Sequence, residues 1–442
     1  MKRNCFRILI LFLPTLLFTM VALGQNNIST FTADSVDLQL IVKGVIETYP
    51  SVLKAQEAIK SVDAGIGIAR AAYYPDIDFG AGFAHIGPVP SITIPNLGSV
   101  DMAPANNYNA SLNIHQTIYD FSKTKKTVLV AESTKDIAEM NIELIKQKLA
   151  LLTITNFYTL VYLQEAVHIK EIQLDILDQH LDFINRKKET GSATEYEILS
   201  TKVRISAAKN QKLDLETAQN NQLAVLNSLL GLPENTRIKV KNRLKLKPAN
   251  VQYDSLINYA IEHRNELVLV DMRKKQAELR LQSLKIENNP VISAFASAGY
   301  KNGYFPDLNK ATANYAAGLG LKVPIFTATR HRNFLQIAIS DINSVKQDIE
   351  LSRREISSEV FLDAANLQAS LQKIDQSELQ LEQALDARKL ADLSFKSGTL
   401  TNLDLLDSES LEAESRLNLL RTRTEYMINS AKLEIAIGKQ GY

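Results

Sequence analysis

The sequence predicts a mainly α-helical protein with an internal twofold repeat, in which long coiled-coil helices are joined to four strands of transmembrane β-barrel type. Three observations predict this fold. One pattern of residues occurs twice along the chain, a very long stretch lacks helix-breaking residues, and short segments alternate apolar with polar side chains. The long stretch excludes a compact globule, whose helices are much shorter.

The first segment of the chain resembles a secretory signal peptide. Lys2 and Arg3 precede an apolar run, and the small residues Ala22 and Gly24 come directly before Gln25. We therefore expect residues 1–24 to be removed on export. The alternative is a membrane anchor, but the apolar run is short and contains a proline.

The twofold repeat is visible in the spacing of matching residues. The spacing that separates Gly191 from Gly398 also separates Tyr108 from Tyr315 and the glycine of LLGLP from that of AIGKQ. We place the first repeat at 25–233, a linker at 234–252 and the second repeat at 253–442. Each repeat has the order helix, helix, strand, strand, long helix, long helix.

Four segments are predicted to be strands because their apolar residues alternate. In one of them, Tyr108, Ala110, Leu112 and Ile114 share a face, and polar residues share the other. An apolar outer face and a polar inner face are what a barrel strand in lipid requires, although a half-buried sheet has the same pattern. The strands are expected at about 74–87, 106–117, 290–301 and 313–324, joined by surface loops at about 88–105 and 302–312.

The long helices are predicted from the lack of proline and glycine and from sevenfold spacing. The stretch from Lys123 to Asn185 contains neither residue, and a helix of that length would run ~90 Å. Apolar residues recur every seven positions along several stripes, so the helix must pack against a neighbour on each side. The expected long helices are 123–188, 194–230, 330–395 and 402–437.

Four strands cannot close a membrane barrel, because the smallest such barrels have eight. Several copies of the chain must therefore contribute to one barrel, which indicates a cyclic oligomer. This argument leaves the number of copies open.

Composition and motifs argue against other functions. The 50 Lys and Arg residues nearly balance the 49 Asp and Glu residues, so no nucleic-acid partner is expected. The only cysteine is Cys5, which lies inside the predicted leader. The six histidines are scattered and lack the spacing of metal ligands, so we interpret them as surface or lumen residues. No catalytic or nucleotide-binding motif occurs. We predict no enzyme activity, no cofactor and no metal site.

Several stretches give the chain a resemblance to a known family. They are Tyr74-Pro75-Asp76-Ile77, Ile118-Tyr119-Asp120-Phe121, and Ser397-Gly398-Thr399 followed by LDLLD. With the duplicated element order, they make the chain resemble the TolC family of outer membrane factors. The resemblance implies a homotrimer with a shared twelve-stranded barrel in the outer membrane and a tunnel of twelve helices that extends into the periplasm.

The resemblance also implies a function and partners. The protein would be the exit duct of an efflux or type I secretion system, working with a periplasmic adaptor protein and an inner-membrane transporter. The helix-tip turns at Gly191, Gly398 and Thr399 would contact the adaptor. The alternatives are a periplasmic adaptor, which should contain a compact β-rich domain, and a secreted coiled-coil structural protein or adhesin, which would leave the strands unexplained.

Five residues are candidates for the tunnel entrance. By position, Asp404 and Asp407 match the family's two acidic residues that ring the aperture, and their spacing puts both on one helix face. The alternative is a solvated acidic helix start, favoured by the helix dipole. Leu400 stands where well-known members have a latch arginine, and Phe395 stands in place of a tyrosine. Glu197 matches the acidic latch partner, so a charged latch like that of those members is not expected. A closed state would rest on apolar contacts, which Leu400 and Phe395 suggest, or on other polar pairs.

Overall fold

The computed structural model describes residues 37–95, 98–240 and 252–439. The predicted signal peptide at 1–24 and most of the linker at 234–252 lie outside the described residues. Elsewhere the predicted architecture, mainly helical with a small sheet, is confirmed.

The elements of the second half follow the order helix, helix, strand, strand, long helix, long helix, and those of the first half follow the same order with two extra short strands between the main strands. Those of the first half are α1 (Leu38–Thr48), α2 (Pro50–Ala71), β1 (Asp76–His85), β2 (Ser91–Ile94), β3 (Gly98–Asp101), β4 (Asn106–Tyr119), α3 (Lys123–Glu189) and α4 (Glu195–Leu230). Those of the second half are α5 (Tyr253–His263), α6 (Asn265–Lys285), β5 (Val291–Lys301), β6 (Thr312–Lys322), α7 (Arg330–Lys396) and α8 (Asn402–Ala436).

The long helices form a row of two antiparallel hairpins. Helices α3 and α7 have 67 residues each, which gives them a length of roughly 100 Å. Helix α3 packs on both α4 and α8, and α8 packs on α7, so the row runs α4, α3, α8, α7. Since α3 has a partner on either side, its several apolar stripes are explained.

Two clusters of buried apolar side chains hold the short helices against the long ones. Helices α1, α2, α3 and α4 share one cluster, and α5, α6, α7 and α8 share another. Fully buried members include Ile41, Val45, Leu160, Leu226, Ile374 and Tyr426. Helices α1 and α5 therefore lie against the middle of the long helices. Helices α2 and α6 run along the part of α3 that is nearer the sheet.

Arg264 fixes the joint between α5 and α6 to the long helices. Its side chain is only 7% exposed, and it makes ion pairs with Glu266 at 2.8 Å and Glu359 of α7 at 2.9 Å. It also donates to the carbonyl of Ala436, at the end of α8. Burial opposes its charge, but the two carboxylates outweigh that effect and raise the pKa of Arg264. One guanidinium therefore ties three elements together.

The main sheet has four antiparallel strands in the order β1-β4-β5-β6. Phe79 pairs with Leu112, Leu112 with Ala298, and Ala298 with Tyr315, so these residues form one row on one face. The adjacent row, on the opposite face, is Asp78, Asn113, Ser297 and Ala316. Exposed apolar side chains of the first face are Ile77, Phe79, Phe83, Leu112, Ile114, Tyr315, Leu319 and Leu321.

The expected loop at 88–105 is wrong in one respect. It contains a short β-hairpin, β2 and β3, in which Ile92 pairs with Val100. Its base is tied by hydrogen bonds from Ile86 N to Ala105 O at 2.7 Å and from Met102 N to Pro90 O at 2.8 Å. The flanking prolines obscured the short alternation.

None of the helices in the described ranges is both long enough and apolar enough to cross a membrane.

Candidate functional site at the hairpin tips

Each long hairpin reverses at a glycine in the left-handed region. Gly191 has a φ of 74° and Gly398 a φ of 79°, values that side chains other than glycine rarely adopt. The amide of Ser192 donates to Lys187 O, and that of Thr399 donates to Ser394 O. These bonds close the last turns of α3 and α7 in the manner of a glycine C-cap. The predicted tip residues Gly191, Gly398 and Thr399 thus all lie at the ends of the hairpins.

The returning helices begin with matching capping boxes. Thr194 and Glu197 exchange hydrogen bonds at the start of α4, and Thr401 and Asp404 do so at the start of α8. The Thr401 hydroxyl donates to Asp404 Oδ2 at 2.5 Å. The carboxylates of Glu197 and Asp404 therefore satisfy the free amides of a helix start. Asp404 remains exposed and Glu197 is half-buried, so these bonds leave the predicted aperture role open.

Asp407 has a different partner. Its carboxylate forms an ion pair with Arg204 of α4. Both side chains are partly exposed, so the pair contributes little to stability, but it offsets the charge of Asp407 within the chain. Of the two carboxylates predicted for the aperture, Asp407 therefore has a cation from the neighbouring helix beside it.

Phe395 and Leu400 belong to an apolar cluster inside the chain. Phe395 is only 4% exposed, and Lys187 Nζ lies 4.6 Å from its ring centre. Leu400 packs against the same cluster from the turn. Their partners are Ile184, Ile198, Ala391 and Leu405. These apolar contacts therefore lie between the two hairpins of one chain, and the gate role of Phe395 and Leu400 stays a prediction.

Two residues that the sequence reasoning missed lie at the centre of this region. His180 of α3, interpreted from the sequence as a surface or lumen histidine, is buried and contacts the buried Asn402 of α8. That interpretation of His180 is wrong. The signal was available in the spacing, because His180 follows Leu177 by three residues and precedes Ile184 by four, as a seam residue does.

A second polar layer lies further from the tip, between α3, α7 and α8. Glu412 is buried and makes ion pairs with Arg388 at 3.5 Å and Arg416 at 2.7 Å. Beside it, burial raises the pKa of Glu409 to about 7, with Asp392 and Glu412 adding to the rise and Arg388 opposing it. A small cavity beside this layer is closed by apolar residues of α3.

Within the described ranges, no group of three or more His, Cys, Asp or Glu side chains is arranged to hold a metal ion. The tips therefore offer hydrogen-bond donors and acceptors, two exposed carboxylates and an apolar cluster.

Comparison with known proteins extends over most of the chain. The model of the family described as outer membrane efflux protein matches residues 42–232 and 256–439. Outer membrane protein TolC of Escherichia coli is 21% identical over 389 residues, which cover 82% of this chain and 78% of that protein. Alkaline protease secretion protein AprF of Pseudomonas aeruginosa is 21% identical over 340 residues, covering 75% of this chain and 70% of that protein.

A solved structure shows the same fold. The crystal structure of the outer membrane protein VceC from Vibrio cholerae superposes with a TM-score of 0.72 at 16% identity. The match covers 91% of this chain and 96% of that chain. The likeness therefore includes the sheet, the short helices and the long hairpins together.

Proposed function

This chain belongs to the family of outer membrane efflux proteins, and on that premise we propose that it forms the outer-membrane exit duct of an efflux or secretion system. The observation that carries the proposal is the family match across both halves of the chain. The sheet supports it, because one face is mostly apolar and the other carries mostly polar or small side chains. Phe295 of β5 is an exception on the second face, where its ring lies against Gly318. The apolar face would meet lipid, and the polar face would line a water-filled path.

We propose a homotrimer with a shared twelve-stranded barrel and a tunnel of twelve helices. The chain has two edges that can meet another copy, β1 with α4 on one side and β6 with α7 on the other. Because the strands alternate in direction, β6 of one copy can pair antiparallel with β1 of the next. Such head-to-tail contacts close into a ring.

The helices at the two edges carry the exposed apolar residues that such a contact requires. Tyr196 of α4 is 70% exposed and Leu393 of α7 is 64% exposed, and both lie near the tips. Other exposed apolar residues at the edges are Leu199, Val203, Leu213, Leu351, Leu362, Leu379 and Leu390. Neighbouring copies would cover these side chains in the ring.

The partners follow from the family as well. We propose that a periplasmic adaptor protein binds the tips at Gly191, Gly398 and Thr399, and that an inner-membrane transporter supplies the cargo. The duct itself would conduct the cargo passively. The relative AprF is named for the secretion of an alkaline protease, so proteins are one cargo class to test beside small molecules.

The exposed carboxylates support an entrance at the tips. In a ring of three copies, Asp404 and Asp407 would place six carboxylates around one opening and favour cations there. Arg204 would offset part of that charge. Phe395, Leu400 and Glu197 would shape the wall beside the opening.

The test is to extract the full-length protein from outer membranes and reconstitute it in planar lipid bilayers. We expect ion-conducting channels and, after chemical cross-linking in detergent, a covalent species of three chains. A protein that stays in aqueous solution without detergent and gives no conductance would contradict the duct and favour a coiled-coil structural protein or adhesin.

A further inference from the structure

Asn402 is the first residue of α8, and its side chain lies between the two hairpins of the chain. Only 4% of this residue is exposed, although exposed residues flank it on both sides. A buried amide group is costly unless its donors and its acceptor are all engaged. The contacts of this side chain therefore identify what holds it there.

The amide bonds to both helices of the other hairpin. Its oxygen lies 2.6 Å from Nε2 of His180 on α3. Its nitrogen lies 3.3 Å from the carbonyl oxygen of Glu197 and 3.3 Å from the hydroxyls of Ser200 and Thr201, all on α4. Because the nitrogen faces acceptors, the oxygen must accept a hydrogen bond, and Nε2 of His180 carries the proton. One side chain thus links α8 to α3 and α4.

His180 is held neutral by its surroundings. Burial lowers its pKa, and its ring packs 5.3 Å from the ring of Phe395. The hydrogen bond to Asn402 opposes this effect and raises the pKa. Of the charged groups that face the ring, Asp392 of α7 and Glu197 of α4 also favour the imidazolium, and Lys187 of α3 opposes it. Asp392 is paired with Lys396 at 2.7 Å, and Glu197 is bound in its capping box. The effect of burial is therefore the larger one.

We propose that Asn402 is the positioning residue that locks the two hairpins of each chain together at the entrance, and that protonation of His180 releases this lock. The inference rests on the proposed function as a duct. Moving α7 and α8 away from α3 and α4 breaks every hydrogen bond of the Asn402 amide at once, because its partners all lie on the other hairpin. The Arg204–Asp407 pair joins the same two helices, α4 and α8, on the exposed side.

The direction of the pH response follows from the two states of His180. In the locked state its pKa is below that of an exposed histidine, about 6.5, and opening returns it to that ordinary value. The open state therefore binds the proton more tightly. The lock is fully stable above about pH 6.5 and weakens as the pH falls through this value.

The experiment records single channels of the full-length protein in planar bilayers between pH 5 and pH 8. Wild type should be mostly closed at pH 8 and open more often at acidic pH. Asn402→Ala should raise the open-to-closed ratio at pH 8 roughly tenfold, the size expected when a buried hydrogen-bond set is lost. His180→Gln keeps a donor toward Asn402 but cannot be protonated in this range, so it should stay closed at pH 5.

Two matched variants serve as controls. Asn418→Ala removes an asparagine of α8 that bonds to Ser377 and Gln380 of α7, within one hairpin. His168→Gln removes an exposed histidine of α3. Both should behave like wild type.

The outcomes separate the lock from the duct. A wild type without conductance contradicts the proposed function itself. A wild type that conducts but is already fully open at pH 8 contradicts the lock. So does a wild type whose gating equals that of Asn402→Ala. Neither result contradicts the proposed function as a duct. If Asn402→Ala fails to assemble, His180→Gln still tests the proposal. A pH response in that variant equal to that of the wild type contradicts the proposal.

Discussion

Glu409 lies inside the row of helices, where burial removes the water that would otherwise solvate its carboxylate. Within the described chain, its Oε2 atom has no hydrogen-bond partner. Neither this burial nor the Arg204 partner of Asp407 could be predicted from the sequence, because the neighbouring groups are far away along the chain. Asp404 and Asp407 were predicted from their match to the family's acidic residues, with their spacing as support, but a spacing along one helix does not reveal which side chains an opposite helix presents.

The buried carboxyl group predicts a pH-dependent stability. The folded-state pKa of Glu409 is about 7, above its ordinary value of 4.5, so its contribution to stability is full below about pH 4.5 and is lost as the pH rises through about 7. Glu409→Gln should therefore stabilise the protein at pH 8, by up to about 3 kcal/mol, and have little effect at pH 4. Thermal unfolding in detergent, followed by circular dichroism, measures this difference.

The control for this prediction is Glu350→Gln on the exposed face of α7, where Glu350 pairs with Arg353. That change should shift the unfolding midpoint very little at either pH. Equal shifts for Glu409→Gln at pH 4 and pH 8 would show that burial of the charge is not the cause.

The exposed carboxylates at the tip predict the selectivity of the channel. Replacing both Asp404 and Asp407 by alanine should weaken cation preference and abolish block by multivalent cations on the periplasmic side, most clearly at low salt, where screening is weak. Reversal potentials and block in planar bilayers measure both effects. Asp392→Ala is the matched control, and unchanged selectivity in the double variant would remove these residues from the aperture.

At the scale of elements, alternation and the lack of helix breakers predicted most of the architecture. Strands β1, β4, β5 and β6 and the long helices lie close to their expected ranges, because a period of two or seven residues follows directly from backbone geometry. The β2–β3 hairpin was missed, since strands of four residues between prolines give too little alternation to recognise. The register in which the strands pair, which puts Phe79 and Tyr315 in one row, also cannot be predicted from a local sequence pattern.

The sheet faces predict opposite responses to a positive charge. Leu319 of β6 lies on the apolar face and is largely exposed in the single chain. If this face meets lipid, Leu319→Arg should cost about 2 to 4 kcal/mol near the bilayer midplane. Ala316→Arg, on the polar face of the same strand, should be tolerated. Urea unfolding in lipid vesicles measures both, and equal costs would contradict the assignment of faces.

At the scale of the whole molecule, the chain has two edges that differ, α4 on one side of the row of long helices and α7 on the other. In the proposed ring, a contact between unlike edges would join α4 of one copy to α7 of the next. The sequence predicts that several copies combine, because four strands are too few for a barrel, and this stays a prediction. It could not show which surfaces meet, since that depends on the order of the helices in the row.

Unlike edges predict a specific pattern of cross-links. In a Cys5→Ser background, cysteines at Tyr196 of α4 and Leu393 of α7 should form disulfides between neighbouring copies and yield covalent closed rings on non-reducing gels. Each cysteine alone should give only monomers, because like edges do not meet. Covalent dimers from either single variant would indicate a twofold interface instead.

The Arg264 joint and the Asn402 amide lie at opposite ends of one rigid arm. From Glu359, which Arg264 binds, to Lys396 at the end of α7, the helix runs roughly 55 Å. A tilt of about 5° at the joint would therefore carry the tip through about 5 Å, farther than a hydrogen bond can stretch. The hairpin is a lever: a small rotation at its pivot, the Arg264 joint, breaks all the hydrogen bonds of Asn402 at its far end. Torque is force times distance from the pivot. The hydrogen bonds of Asn402, which lie farthest from the Arg264 joint, therefore oppose the rotation more effectively than equally strong bonds nearer the joint.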